Sequence, residues 1–582
     1  MTSGPPPHQR RPFAVQLVLA GGLAACAATG VQRSQGDVSA HAAPKRPHIV
    51  LVLADDMGYT DIGCYGSEIR TPTLDRLAAN GVRMTQFHNA ARCCPTRASL
   101  LTGLYPHQAG IGLMTSDRGH DAYRGVLSAD TVTLAEALGD AGYSTYMAGK
   151  WHVTNQIRPG GSKESWPLGR GFDRFYGTIT GAGSFWDPAT LCRGDTFITP
   201  ENDAAYSPET FYYTDAISDE GARFVREHLD GSDDPLFLYV AYTSAHWPMH
   251  APEDGVARYA GVYEGGYGPI RQKRLERARE LGVLNPAWEM SPQRAPWSEN
   301  EHQAWDDRNM QVYAAMVERM DAGIGRVMAE LERAGELDNT LFVYLQDNGG
   351  CAEGYGRRSN ESERPVEPLA PLGVNGLQTK IWPPMQTRDG RWVRTGPNVM
   401  AGPEDTFVAY GAGWANVSNT PFRGYKHDGY EGGTATPFIV HWPAGLGGET
   451  RGSITEEPAH LIDVMPTFLS AAASDYPGER GGIAIQPAEG IDLLPILRGA
   501  PVHDDRAFGL EHHGNQALRR GRWKIVSPYR KDAERQWELY DLASDRTELH
   551  DLASEQPKRL REMIADWDRW ATRVGVIPWP MK

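Results

Sequence analysis

The chain has 582 residues, 40% of them hydrophobic, with 73 acidic against 58 basic side chains and a formal net charge of −15. That length and apolar content can bury a large core and more than one domain, and the acidic balance excludes a nucleic-acid partner, whose phosphates need a basic surface. An anionic small molecule remains compatible with such a chain only where lysine, arginine or a metal ion is concentrated locally.

Arg10 and Arg11 precede a short apolar run from Phe13 to Ala25, the layout of an export signal and too short for a stable membrane span. Leu23-Ala24-Ala25-Cys26 resembles the lipobox of bacterial lipoproteins, and Arg10-Arg11-Pro12-Phe13 resembles a twin-arginine signal. Residues 1–26 therefore read as an export signal, which places the mature chain in the periplasm or at the cell surface. Either Cys26 is acylated, which would be its one membrane contact, or an ordinary signal is cut nearby. Residues 27–46 are small and polar, as in a linker.

Order is predicted from His48. The run His48–Ala54 is continuously apolar and rich in branched side chains, the pattern of a strand buried on both faces in a parallel sheet. The same form recurs at Leu236–Tyr242, Leu341–Leu345 and Pro437–Trp442. Tyr313, Met316, Val317, Met320, Ile324, Val327, Met328 and Leu331 keep the three-and-four spacing of a helix lying against such a sheet. The stretches 251–301 and 354–419 show no sustained period and read as long functional loops or insertions. A boundary near 500 separates a catalytic α/β region, 47–500, from a smaller α+β region, 501–582. The latter has strands at Trp523–Val526 and Glu538–Asp541 and a helix near Gln556–Val574.

In parallel α/β sheets ligands bind beyond the carboxyl ends of the strands, where Asp55, Asp56, Asp347 and Asn348 all stand. One such pair is ordinarily a turn or a helix cap. Two pairs at equivalent positions make an all-oxygen set suited to Ca²⁺ or Mg²⁺ rather than zinc.

The segment Cys93-Cys94-Pro95-Thr96-Arg97, followed by Ala98-Ser99-Leu100-Leu101-Thr102-Gly103, resembles the maturation motif of the type I sulfatases, members of the alkaline phosphatase superfamily. The resemblance implies a large, mostly parallel sheet flanked by helices, a maturation enzyme that oxidises Cys93 to formylglycine, and hydrolysis of a sulfate ester. The chemistry favours the aldehyde over the thiol. A sulfonated thiolate has no internal route of release, whereas a hydrated aldehyde carries one hydroxyl to attack sulfur and a second to expel sulfate by C–O cleavage. Pro95 suits a first helical turn whose free N–H groups favour an anion, and Arg97 would orient the diol.

Further segments match in family order. Gly142–His152 resembles the second sulfatase signature, which implies that Lys150 binds sulfate and His152 contacts the formylglycine. Ala245-His246-Trp247-Pro248 resembles the His-x-Pro turn whose histidine protonates the leaving oxygen. Gly424-Tyr425-Lys426-His427, followed by Glu431-Gly432-Gly433, resembles the element whose lysine also grips sulfate. The implied metal ligands are Asp55, Asp56, Asp347, Asn348 and the modified Cys93. Arg92, Thr96 and Ala435 depart from the commoner family residues without removing a chemical role.

Two other readings stay open: a phosphonate or phosphate ester hydrolase of the same superfamily, and a non-catalytic lipoprotein that binds sulfated glycans. The substrate is expected to be an aryl sulfate or a sulfated carbohydrate, with Trp288, Trp297, Trp382 and Trp392 available for stacking on sugar faces or for local packing. The pairing of Cys64, Cys94, Cys192 and Cys351 stays open.

Overall fold

The computed structural model describes residues 45–357, 367–500 and 505–581. The export signal, Cys26 and nearly all of the linker lie outside the described residues. From Arg46 onward the chain forms one compact unit.

Its centre is an eleven-stranded mixed sheet. The strands are β1 (His48–Ala54), β2 (Val82–His88), β3 (Ser144–Lys150), β4 (Arg174–Thr178), β5 (Leu191–Arg193), β6 (Thr196–Phe197), β7 (Leu236–Ala241), β8 (Thr340–Gln346), β9 (Ala435–His441), β10 (Ser453–Thr455) and β11 (Ala459–His460). They lie in the order β10-β2-β9-β8-β1-β7-β3-β4-β5-β6, with β11 also on β2. The middle five, β8-β1-β7-β3-β4, run parallel.

Every β1 side chain is buried, for the reason its uninterrupted apolar run predicts. Alternate residues feed opposite layers: Val50, Val52 and Ala54 enter one apolar core, and Ile49, Leu51 and Leu53 the other. The first core is closed by the helices Tyr213–Leu229 and Gln303–Arg333. The expected helical stripe from Tyr313 to Leu331 falls within the second of these. The opposite core is closed by Cys93–Thr102, Leu134–Asp140 and Val464–Ala471.

Two expectations need correction. The run at Pro437–Trp442, grouped with the parallel strands, belongs to β9, which is antiparallel to both β8 and β2. Burial on both faces erases the alternation that marks direction. The stretch 251–301 contains a fourteen-residue helix, Tyr267–Glu280. Its inward positions include Arg271 and Arg274, so it lacks an apolar period. Arg274 is fully buried and pairs with Asp61 at 2.6 Å and Glu68 at 2.7 Å.

Beyond a two-residue ribbon of β12 (Glu479–Arg480) and β13 (Ile483–Ala484) lies an antiparallel meander, β14 (Ala507–His512), β15 (Asn515–Arg520), β16 (Trp523–Ser527) and β17 (Glu538–Asp541). The helix Pro557–Val574 packs Met563, Trp567 and Trp570 against it, in a core shared with Tyr105 and Ile462. This layer is tied to the main sheet through buried Glu431. That carboxylate receives Lys524 Nζ at 2.8 Å and Arg546 Nε at 2.8 Å, with His88 Nε2 3.1 Å away.

Arg546 is fully buried and also lies 4.7 Å over the Phe422 ring. Arg546→Met should therefore lower the unfolding free energy by about 3–5 kcal/mol, the cost of stranding a buried partner charge. Denaturant unfolding measures it; a loss under about 1 kcal/mol would mean that Lys524 and His88 suffice for Glu431.

Candidate active site

The topology gathers the expected residues at the carboxyl ends of neighbouring parallel strands. Asp55 and Asp56 follow β1, Asp347 and Asn348 follow β8, His246 lies just after β7, and Lys150 ends β3. Gly149 permits that close packing: it has φ +117°, and a β-carbon there would sit 1.9 Å from the Ala241 carbonyl oxygen.

The charged groups interlock. Lys150 Nζ donates to Asp55 Oδ2 at 2.5 Å, and Lys426 Nζ donates to Asp56 Oδ2 at 2.8 Å. Asn348 Nδ2 donates to Asp56 Oδ1 at 2.8 Å. Arg97 spreads its fork, with Nη2 donating to Asp347 Oδ2 at 2.9 Å and Nη1 to the Lys150 carbonyl at 3.0 Å. His246 Nδ1 is 2.7 Å from the Trp247 carbonyl, which can only accept, so Nε2 is the atom left to face Asp56 Oδ2 at 3.4 Å. All these side chains are buried.

Crowding three carboxylates out of water has electrostatic consequences. Burial, then the neighbouring Asp347, push Asp55 up to about 7 against the pull of Lys150. Burial also raises Asp347, although Arg97 opposes it. At Asp56 the burial effect is outweighed by His246 and Lys426, and the carboxyl falls below its usual range.

Two buried oxygens, Asp55 Oδ1 and Asn348 Oδ1, have no hydrogen-bond partner among the described residues. Open acceptors amid clustered negative charge, all of them oxygen, fit a hard divalent cation. Asp55, Asp56 and His246 can each offer an atom within 4.8 Å of the others.

Cys93 adjoins this set from the opposite core. The helix Cys93–Thr102 starts at Cys93 itself, with Pro95 in its first turn and Arg92 extended and giving no side-chain cap. Its first N–H groups are left without intrahelical carbonyl partners. Cys93, Cys94 and His152 bring their donor atoms within 4.8 Å of one another, and His152 Nε2 lies 3.5 Å from Cys94 Sγ.

The hydrogen bond with Cys94, then Lys150 and His152 against the cost of burial, hold the Cys93 thiol well below its ordinary value. Burial pushes Cys94 the other way. Burial also lowers His152 to about 4. The environments thus push the two neighbouring thiols in opposite directions. Asp56, His152 and His427 all adopt left-handed backbone, with φ of 58°, 55° and 82°, which is uncommon for residues bearing a β-carbon.

Two further contributors are assigned no role by the sequence: Thr96, a variable position inside the Cys93 motif, and Glu353, which lies in no motif. Thr96 Oγ1 donates to the Asp347 carbonyl at 2.6 Å and accepts from the Ala90 amide at 3.0 Å, stitching the Cys93 helix to β8. Glu353 accepts from Trp247 Nε1 at 2.7 Å and lies 3.5 Å from Arg92 Nη1. Despite burial, a hydrogen bond with His427 and the charges of Lys426 and Arg92 hold it far below the usual carboxylate range.

The loop tryptophans divide. Trp288 is buried, Trp297 packs on Tyr267 and Trp414, and Trp392 Nε1 donates to the Glu367 carbonyl. Trp382 is 42% exposed and lies against Trp247, next to His246. The five described cysteines are free thiols.

Residues 47–474 match the sulfatase family model, and residues 425–567 match the model for the C-terminal part of N-sulphoglucosamine sulphohydrolase. An uncharacterized sulfatase of Schizosaccharomyces pombe is 32% identical over 562 residues, covering 92% of this chain and 95% of that one. An arylsulfatase of Klebsiella aerogenes is 33% identical over 480 residues, covering 79% and 91%. Among solved structures, Ps i-CgsB superposes with a TM-score of 0.61 at 23% identity, covering 90% of this chain and 93% of that one. At that identity the likeness speaks for the fold alone.

Proposed function

The chain belongs to the sulfatase family and hydrolyses sulfate esters, and from that premise we propose that its nucleophile is a formylglycine made from Cys93, working beside a divalent cation held by Asp55, Asp56, Asp347 and Asn348. The observation that carries this reading is the convergence of a Cys-x-Pro-x-Arg helix start on a buried acidic set with two unpartnered oxygens. Formylglycine supplies a hydrated aldehyde, one hydroxyl for attack and one for release, and would add an oxygen ligand at Cys93. The cation, Ca²⁺ or Mg²⁺, supplies a positive centre that offsets charge on sulfate and nucleophile.

The chain's own residues do the rest. Lys150 and Lys426, both buried, neutralise sulfate oxygens. Arg97, fixed by two hydrogen bonds one helical turn from Cys93, orients the nucleophile. His246, its Nδ1–H committed to the Trp247 carbonyl, gives the departing oxygen the Nε2 proton of its imidazolium form, which burial disfavours and the neighbouring Asp56 carboxylate supports. His152 handles the proton of the release step. The buried setting excludes bulk water and keeps these charges effective. The lipobox-like segment ending at Cys26 supports an exported chain, periplasmic or at the cell surface with a lipid anchor.

Mass analysis of the peptide containing Cys93, from protein co-produced with a formylglycine-generating enzyme and assayed on an aryl sulfate, tests the nucleophile. Turnover should rise with the converted fraction. Full turnover by protein that retains the thiol would refute the assignment.

Trp247 packs with Tyr355, Trp382 and Phe407 at ring separations of 4.8, 4.7 and 5.6 Å. This aromatic wall runs from His246 toward solvent and suits a flat leaving group, an aryl ring or a sugar face. Trp382→Ala should raise KM for an aryl sulfate by roughly 3–10-fold with kcat little changed, the size of one lost aromatic contact. Steady-state kinetics checks it; an unchanged KM would remove Trp382 from the substrate path.

A further inference from the structure

Three histidines that the hydrolytic mechanism leaves unused lie together where the C-terminal meander meets the Lys426 loop. His427, His512 and His513 stack with ring centroids 5.3 Å (427 to 512), 5.6 Å (427 to 513) and 4.4 Å (512 to 513) apart. One nitrogen from each lies within 4.8 Å of the others.

His512 is fully buried, and neither of its ring nitrogens has a hydrogen-bond partner among the described residues. His427 Nδ1 is likewise buried without one, while its Nε2 faces Arg92 Nη1 at 2.5 Å and Glu353 Oε1 at 3.5 Å. A buried imidazole with both nitrogens unsatisfied is costly and calls for a ligand. Burial lowers all three, with Arg92 and Lys426 adding to it at His427 and the neighbouring histidines at His512 and His513, the last to about 4, so their lone pairs are free at neutral pH.

We propose that His427, His512 and His513 form a three-nitrogen binding site for Zn²⁺, separate from the acidic oxygen set. Three neutral imidazoles suit this borderline-soft ion and leave its fourth position to water, whereas carboxylate and amide oxygens select a harder cation. Glu353 supplies one negative charge beside His427 that offsets part of the positive charge of the ion and Arg92. The site is coupled to hydrolysis through the chain itself. His427 follows Lys426, and Arg92, which touches His427, precedes Cys93. Zinc bound here inhibits sulfate ester hydrolysis by displacing Lys426 and Arg92.

The test titrates Zn²⁺ into the full chain in excess Ca²⁺, reading stoichiometry by competition with a chromophoric chelator and turnover of an aryl sulfate in parallel. One zinc per chain is expected, together with inhibition. His512→Gln and His513→Asn should each weaken uptake by at least roughly tenfold and relieve inhibition to the same extent. His513 is partly exposed with φ 51°, a conformation asparagine tolerates, so that variant decides the matter if the buried His512→Gln fails to fold. No zinc uptake by the parent chain overturns the proposal. So does uptake unchanged in the variants, which would put the ion on Cys93, Cys94 and His152.

Discussion

Cys93→Ala should lower kcat for an aryl sulfate by roughly 10⁴-fold or more, the scale seen when a covalent nucleophile is removed, while Cys94→Ala keeps most of the activity. Both thiols are buried at the start of one helix, and both lie near His152. Their environments separate them. Cys93 is held low by its hydrogen bond with Cys94 and by Lys150 and His152, and Cys94 is pushed up by burial. Removing Cys94 takes away a neighbour that the proposed aldehyde does not use and opens only a small void. The check is kcat at saturating substrate for both variants, with the Cys93 peptide of Cys94→Ala weighed to show that conversion still occurs. Appreciable turnover by Cys93→Ala would end the nucleophile assignment.

Asp347→Asn carries the second-largest expected effect. The amide preserves the side-chain volume but removes the negative end of the Arg97 pair at 2.9 Å and one of the three carboxylates. Arg97 is fully buried, so it is left facing a neutral group with only the Lys150 carbonyl and the more distant Asp55 oxygen, at 3.5 Å, to hold it. Loss of this electrostatic preorganisation should lower kcat by roughly 10²–10³-fold, accompanied by weaker metal retention. Kinetics and elemental analysis of the same preparation separate the two contributions. Parent-like kcat with full metal content would show that Asp347 serves the fold alone.

Much of the architecture was legible because it is written in local patterns. The runs at His48–Ala54 and Leu341–Leu345 match β1 and β8 to within a residue, since a strand buried on both faces must be apolar throughout. The acidic pairs stood out because they end those runs. Where local pattern ran out, so did the reading. The helix Tyr267–Glu280 has no apolar period because buried arginines occupy its inward face, and the partners of Arg274, Asp61 and Glu68, lie some two hundred positions earlier in the chain. Glu353 carries no spacing signal, and nothing local links His427 to the adjacent pair His512 and His513, because they arrive from separate elements.

By itself the sequence determined the family motif at Cys93 and the strands around it, and it singled out the acidic and basic candidates for the site, all of which depend on side-chain type and short-range spacing. Only the tertiary structure decided that Lys150 meets Asp55, that Lys426 meets Asp56, and that Asp55 Oδ1 and Asn348 Oδ1 are left without partners among the described residues. The separation has a physical cause. A charge buried by the fold must find its counter-charge wherever the topology delivers one, and at separations of 95 and 370 residues no local pattern encodes that meeting.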